Sequence, residues 1–129
     1  MKRYLVIWGI FLLVSCQHQA SKEKALEYWD NNQFQLALNE ICNAIELYPD
    51  SSSLYFLRMR IYEIMSRYDE ELKDLDRIIQ LNQNREEVMI AYYQRATVKS
   101  KLGLFKKALV DINYLISRQK DLKVDLTGA

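Results

Sequence analysis

The sequence has few of the residues that interrupt regular structure or bind metals. Its 129 residues include three glycines, one proline, two cysteines and one histidine. So few glycines and prolines leave little material for tight turns, which argues against an all-β fold. One histidine and two cysteines cannot supply a zinc cluster of Cys and His ligands, and they argue against a histidine-based catalytic site. We therefore expect neither a metal nor a cofactor.

The chain also lacks an excess of either charge. Lysine and arginine number 18 and aspartate and glutamate number 17, so the formal net charge is +1. Proteins that bind nucleic acids usually carry a basic excess, so no nucleic-acid partner is expected. Hydrophobic residues make up 50% and charged residues 27% of the sequence, a composition that argues against disorder. The length corresponds to one domain.

An uncharged apolar run follows two basic residues at the N-terminus. It covers residues 4–14 (YLVIWGIFLLV), which is shorter than the roughly 20 residues of a membrane-spanning helix but has the length of a secretory signal. The run ends at Leu13-Val14-Ser15-Cys16. These four residues resemble the lipobox of bacterial lipoproteins, in which a peptidase cleaves just before the cysteine that carries the lipid.

This resemblance implies a lipid anchor. Residues 1–15 would be the signal peptide, Cys16 the lipid attachment site, and residues 16–20 a short tether. Gln17 follows the cysteine, and the absence of aspartate there is similar to lipoproteins of the outer membrane. We therefore expect a protein of the bacterial cell envelope, anchored at the outer membrane. The alternatives are an ordinary signal peptide and an anchor helix with an incidental cysteine.

Three segments of the remaining chain align on one another. They run from Ala25 to Pro49, from Leu54 to Asn82 and from Ala91 to Ser117, with offsets of 34 and then 37 residues. Each segment has helical apolar spacing and turn-forming residues near its middle, which predicts two helices per segment. The turn residues are Asn31-Asn32, Ser66-Arg67 and Gly103. The predicted helices cover 21–31, 34–48, 53–65, 68–82, 86–102 and 105–118.

A helix–turn–helix unit with a period of 34 residues resembles the tetratricopeptide (TPR) repeat. The family places small residues at fixed positions of the first helix (A) and the second helix (B), and the first repeat has Ala25, Ala37 and Ala44 there. Larger residues stand at these positions in the later repeats: Met59, Glu71, Ile78 and Leu115. The resemblance implies an all-α solenoid of about three TPR-like hairpins. The repeats would cover 21–51, 52–85 and 86–118, followed by a C-terminal tail at 119–129.

One charge pattern recurs in all three repeats. A basic residue on helix A is followed 16 residues later by an acidic residue on helix B. We predict that each couple forms an ion pair across its hairpin: Lys24 with Glu40, Arg58 with Asp74, and Arg95 with Asp111. The pairs could form a charge array for a ligand or could fix the helix register. We favour the structural interpretation, because neutralised charges bind ligands poorly.

The first candidate binding surface is the concave face of the solenoid, which helix A lines. The groove positions of the family map to aromatic, polar and charged residues: Trp29, Phe56, Arg60, Glu63, Tyr93, Thr97 and Lys101. Such a surface suits an extended peptide or a helix of a protein partner. Alternatively, Trp29 and Tyr93 only pack between neighbouring helices. The basic clamp that some family members use for C-terminal carboxylates is not evident, since Leu26 and Phe56 stand where polar residues would be needed.

The second candidate surface is the C-terminal end of the array. Repeat arrays usually finish with a polar capping helix, but no repeat follows residue 118. Exposed apolar residues are therefore expected on the last helix: Leu109, Ile112, Leu115 and Ile116. These residues would mediate self-association or partner binding. Alternatively, the tail folds back over them through Leu122, Val124 and Leu126.

The sequence contains no glycine-rich phosphate loop and no histidine that could complete a catalytic triad, so we predict a protein without enzymatic activity. Cys42 is interpreted as a structural thiol. The predicted function is a membrane-anchored TPR adaptor or scaffold of the bacterial envelope. The alternatives are a dedicated subunit of an outer-membrane assembly, pilus or secretion machine, and a structural homo-oligomer without a separate client.

Overall fold

A computed structural model describes residue 19 and residues 21–127, with side chains up to residue 119. This part of the chain contains six α-helices and no strand. The helices are α1 (21–30), α2 (Phe34–Leu47), α3 (Ser52–Ile64), α4 (Tyr68–Leu81), α5 (Arg85–Lys101) and α6 (Phe105–Thr127). The predicted ends of the first five helices each agree to within one residue. The predicted signal peptide and the lipid attachment site lie outside the described residues.

Each hairpin turns at the same position of its repeat. Asn32, Ser66 and Gly103 have positive φ angles of 58°, 55° and 74°. In the second hairpin, the N–H groups of Ser66 and Arg67 donate to carbonyls three and five residues earlier, at 3.1 and 2.9 Å. This Schellman pattern satisfies two carbonyls that have no partner inside the helix. The same two bonds close α1 and α5, so the three turns share one geometry.

Each helix packs against the next one in the chain, and the core lies between these neighbouring helices. α2 packs on α3, α3 on α4, α4 on α5 and α5 on α6. The edge of the Trp29 ring meets the Phe34 ring at 5.7 Å and joins α1 to α2. Met59 and Ile78, which replace small residues of the family pattern, are completely buried. Full burial of such a side chain stabilises the fold by roughly 1.5–3 kcal/mol, so the larger residues belong to the core.

The last helix is longer than predicted. α6 continues to Thr127, beyond its predicted end at residue 118. The predicted tail at 119–129 is therefore helical as far as Thr127, and its backbone does not fold back over α6. The physical reason is visible in the sequence, because residues 104–127 contain no glycine or proline and the polar Lys120 and Lys123 are good helix formers. Polarity alone does not end a helix.

Candidate functional site

Two of the predicted ion pairs each join the two helices of one hairpin, in the first and in the second repeat. Lys24 Nζ lies 2.6 Å from Glu40 Oε1, at an exposed edge of the first hairpin. Arg58 makes two bonds to the buried Asp74, with Nε 2.8 Å from Oδ2 and Nη2 2.6 Å from Oδ1. The hydrogen bonds from Arg58 to Asp74 raise the pKa of the guanidinium above its ordinary value. Arg58 Nη1 also lies 3.7 Å from the Sγ atom of the half-buried Cys42, across the α2–α3 junction.

The third pair is the centre of a larger network. Arg95 Nε and Nη2 lie 2.9 and 2.5 Å from the carboxylate oxygens of the buried Asp111. Arg95 Nη1 also donates to Asp76 Oδ1 of the preceding repeat at 2.7 Å, and Lys99 Nζ donates to Asp111 Oδ2 at 2.8 Å. Burial alone would raise the pKa of Asp111, but the bonds from Arg95 and Lys99 hold it below its ordinary value. These charges are satisfied within the fold, which favours a structural role.

The predicted groove residues divide into packed and exposed groups. Trp29 is half-buried against Phe34, and with Leu26 it borders a cavity of only about 10 Å³. Phe56 is half-buried against the core. Trp29 and Phe56 therefore serve mainly to pack the helices. Tyr93 instead leaves 65% of its surface exposed, so the structure separates the two aromatic residues whose roles the sequence left open.

The exposed part of the groove lies along α3 and α5. Arg60 Nη1 donates to Glu63 Oε2 at 2.7 Å, one turn apart on α3. Thr97 Oγ1 donates to the carbonyl of Tyr93 at 3.1 Å on α5. Lys101 Nζ lies 5.3 Å from the centre of the Tyr68 ring. α3, the start of α4 at Tyr68, and α5 thus present a mixed aromatic and charged surface.

A polar cluster that the sequence did not predict lies beneath this surface. Gln94 Nε2 donates to Glu63 Oε1 at 2.9 Å and to Glu71 Oε1 at 3.0 Å, so one amide joins α3, α4 and α5. Glu71 is completely buried and its Oε2 atom has no hydrogen-bond partner. Burial raises the pKa of Glu71, the bond from Gln94 opposes the shift, and nearby Glu63 adds to it. In the sequence, this cluster is indicated only by Glu71, which stands where the TPR pattern has a small residue.

The C-terminal end of the array exposes an apolar stripe along α6. The α6 stripe consists of Phe105, Leu109, Ile112 and Ile116, whose surfaces are 68%, 55%, 40% and 46% exposed. Leu115, which was expected beside them, is half-buried and is not part of the stripe. The described part of α6 also exposes Lys106, Lys107 and Arg118. Among the side chains of α6 that the structure describes, which end at residue 119, the one carboxylate is Asp111, and it is buried and paired.

Two open clefts lie beside α6 and were not predicted. One, of about 400 Å³, lies between α4 and α6 and is bordered by Leu72, Asp76, Arg95, Lys99, Lys107, Val110 and Asp111. Most of its charges are already paired with one another. The other, of about 510 Å³, is bordered by Asn82, Gln83, Arg85, Val88, Met89, Tyr114 and Arg118.

Among residue 19 and residues 21–127, no three or more His, Cys, Asp or Glu side chains are placed to hold a metal ion. In the same part of the chain, no helix combines the length and apolar character needed to cross a bilayer.

Three stacked helical hairpins with a common turn and a common register define the chain as a TPR α-solenoid. Solved TPR domains have the same fold. The second TPR domain of human RPAP3, in complex with an HSP70 peptide, superposes with a TM-score of 0.68 at 19% identity, covering 80% of this chain and 83% of that domain. The Arabidopsis OM64 TPR domain gives a TM-score of 0.66 at 20% identity, covering 78% and 80%. A MamA mutant gives 0.64 at 19% identity, covering 90% and 87%.

Sequence relatives also contain TPR repeats. The co-chaperone DNJ1 of Cryptococcus neoformans, a TPR and J domain protein, is 30% identical over 82 residues, or 64% of this chain. The TPR repeat-containing thioredoxin TDX of Arabidopsis thaliana is 25% identical over 95 residues, or 74% of this chain. The chain spans only 15% and 24% of these two relatives. No protein-family model matches the sequence. TPR domains are protein-interaction modules, and this chain has their fold.

Proposed function

We propose that this chain is a lipid-anchored adaptor of the bacterial cell envelope whose TPR domain recruits a protein partner without catalysing a reaction. The observation that carries the proposal is the exposure of Tyr93 on α5, at a position that the TPR resemblance assigns to the groove. Large aromatic side chains on rigid elements are the usual anchors of protein interfaces. Arg60 and Lys101 border the same surface and would add charge selectivity.

The chemistry of the groove argues against one class of ligand. The human RPAP3 domain is seen with the peptide SGPTIEEVD, which is acidic at its C-terminal end. In this chain, Leu26 and Phe56 stand where a basic clamp for a C-terminal carboxylate would need polar residues, and Phe56 packs against the core. The groove therefore lacks the charge that would select an acidic tail, and the proposed partner is not a chaperone tail of this kind.

The proposed membrane attachment rests on the resemblance of residues 13–16 to a lipobox. Lipid chains on Cys16 would hold the protein at the membrane, because each buried methylene contributes about 0.8 kcal/mol. The tether at 16–20 would span at most roughly 17 Å when extended. The proposed partner therefore lies close to the membrane surface. If the protein binds one such partner permanently, it is a dedicated subunit of an outer-membrane assembly, pilus or secretion machine.

A photo-crosslinking amino acid at position 93 of the full chain would test both parts of the proposal in cells. The expected result is a crosslink to one envelope protein, recovered in the membrane fraction. The same crosslinker at Leu47, an exposed apolar residue on α2, is the control for non-specific capture. Identical products from positions 47 and 93 would overturn the groove proposal.

The anchor is tested separately with Cys16→Ala. We expect the wild-type protein in the membrane fraction, and we expect this variant to lose both its lipid and the position 93 crosslink. Membrane recovery unchanged by Cys16→Ala would exclude the lipid anchor. Crosslinks from position 93 only to other copies of this chain would favour a homo-oligomer without a separate client.

A further inference from the structure

Residues that occupy the positions of the α6 stripe in the first two repeats are buried or half-buried, whereas the stripe itself is exposed. Leu38 of the first repeat is equivalent to Leu109, and their exposed fractions are 4% and 55%. Ile41 and Leu75 are fully buried at the position where Ile112 is 40% exposed. The side chains are equally apolar at each position. Only the neighbourhood differs, because the third repeat has no repeat after it in the described chain.

The cover in the first two repeats is helix A of the next repeat. α3 packs on α2, and α5 packs on α4. Leu57 and Ile61 of α3, for example, border the same small cavity as Ile41 of α2. A helix is therefore the element that fits against the α6 stripe.

We propose that the α6 stripe is the interface between two copies of this chain, which pack their α6 helices antiparallel about a two-fold axis. The stripe residues are spaced by four, three and four positions, which is the spacing of a two-helix seam. An axis midway along the stripe places Phe105 opposite Ile116 of the second copy and Leu109 opposite Ile112. The stripe is thus complementary to itself, as a two-fold interface requires.

The other possible contact between copies, head to tail, does not fit. In that arrangement α1 of a second copy would occupy the position that α3 takes on α2. Glu23 and Glu27 of α1 are exposed where α3 has Leu57 and Ile61. Pressing these carboxylates against aliphatic side chains would bury charge without a partner. The polar α1 therefore suits the start of an array, and the unmatched surface is confined to α6.

The charges along α6 oppose the antiparallel arrangement weakly. The lysines at 106 in the two copies would lie about nine residues apart along the seam, or roughly 13 Å, but each would lie only about three residues, or roughly 5 Å, along the seam from Arg118 of the other copy. The shorter separation is within the Debye length of about 10 Å at 0.1 M salt. Between residues 105 and 127, α6 has five basic and three acidic residues, so the two helices carry the same sign of charge. Added salt should therefore strengthen the dimer, whereas it would weaken binding of an acidic foreign helix.

This inference goes beyond the adaptor proposal and does not depend on it. The contact uses exposed side chains of α6, whereas the groove residue Tyr93 lies on α5. Two grooves and two lipid anchors would then belong to one particle, which raises the effective affinity for a client with two sites and for the membrane.

The test is the mass of the purified full chain in detergent, measured by sedimentation with the detergent contribution subtracted. We expect a dimer whose dissociation constant decreases when salt is raised. Leu109→Lys and Ile112→Lys should each weaken it by at least about tenfold. Leu47→Lys changes a residue that is 61% exposed away from the stripe and should leave the dimer intact. Because all three residues are surface-exposed, circular dichroism and urea unfolding should show that each variant folds.

Three results would overturn the proposal. The wild-type chain could remain a monomer at about 100 µM, a concentration that would reveal even a weak dimer. The dimer could survive Ile112→Lys in a folded variant. A photo-crosslinker at position 112 in cells could join only a different protein, which would assign the stripe to a foreign helix. None of these results depends on the position 93 crosslink, so the adaptor and dimer proposals fail separately.

Discussion

Ser66, in the turn of the second hairpin, has a positive φ angle of 55°. An L side chain in this left-handed region costs roughly 1–2 kcal/mol, and glycine avoids that cost. We predict that Ser66→Gly stabilises the protein by up to about 1 kcal/mol, after allowance for the extra freedom of glycine in the unfolded chain. Urea unfolding measures the change. Ser100→Gly, inside α5, is the control and should destabilise, because it removes a side chain from a helix.

The reciprocal substitution belongs to the equivalent turn of the third repeat. A Cβ atom at Gly103 would meet nothing within 4 Å, so Gly103→Ser would introduce backbone strain without a clash. We expect a loss of about 1 kcal/mol in the same urea experiment. If the substitutions at 66 and 103 both changed stability in the same direction, the shared turn geometry could not be the cause.

Glu71 gives stability a pH dependence at a single residue. Its folded-state pKa is raised by burial above the ordinary value of 4.5, so its contribution is most favourable below that value. Stability is lost as the pH rises through the raised pKa, because the unfolded chain gives up the proton more easily. We predict that Glu71→Gln removes this loss and is more stable than the wild type at pH 8 by about 1 kcal/mol.

Urea midpoints at pH 5 and pH 8 measure the effect. Glu70→Gln is the matched control, because Glu70 is the adjacent residue and its bond to Arg67 lowers its pKa. That variant should not gain stability at pH 8. An equal response of the two variants would contradict a specific role for the buried carboxyl.

At the scale of helix pairs, the three ion pairs should differ in their contribution to stability. Arg58→Met would leave Asp74 buried without a cation, which costs about 3–5 kcal/mol. Arg95→Met should cost less, because Lys99 still pairs with Asp111 at 2.8 Å. Lys24→Met, at an exposed edge, should change stability least. Urea unfolding of the three variants tests this order, and a loss for Lys24→Met equal to that for Arg58→Met would contradict it.

The α4–α5 connection shows how far local sequence predicts structure. Asn84 followed by Glu87 is a capping pattern, and Asn84 Oδ1 accepts from the Glu87 N–H at 3.1 Å. The Glu87 side chain instead accepts from Ser52 Oγ at 2.7 Å, and Gln83 Oε1 accepts from the Ser52 N–H at 2.9 Å. Local spacing thus predicts the bond from the Glu87 N–H to Asn84. The bond that the Glu87 side chain accepts from Ser52 depends instead on which helices the fold brings together.

The same distinction holds for the candidate site. Residues 16 apart within one hairpin meet because the turn geometry is constant, so the Arg58–Asp74 pairing could be read from the sequence. The bonds from Gln94 to Glu63 and Glu71 join two repeats, whose offset of 37 residues differs from the first offset of 34. No single repeat contains that information. The extension of α6 to Thr127 has another origin, because the repeat pattern that predicts the helices ends at residue 118 and gives no information about the residues after it.

At the scale of the whole molecule, the core is concentrated in the middle of the array. α3 and α4 contain seven of the buried large apolar residues, namely Leu54, Tyr55, Met59, Ile61, Tyr62, Leu75 and Ile78. The described side chains of α1 and α6 contribute only Ala25 and Ala108 as buried apolar residues. Each repeat is stabilised mainly by its neighbours, so the two ends have less support than the centre.

We therefore predict that hydrogen exchange is slowest in α3 and α4 and fastest in α1 and the start of α6, because local opening costs least where little apolar surface is lost. Mass spectrometry of exchanged peptides measures this order. If two copies pair through the α6 stripe, protection of α6 should rise with protein concentration in the wild type but not in Leu109→Lys. Equal protection of α6 and α4 in that variant would contradict the gradient. Uniform protection at every concentration would show instead that the described helices unfold as one unit, with no exposed end for a second copy to stabilise.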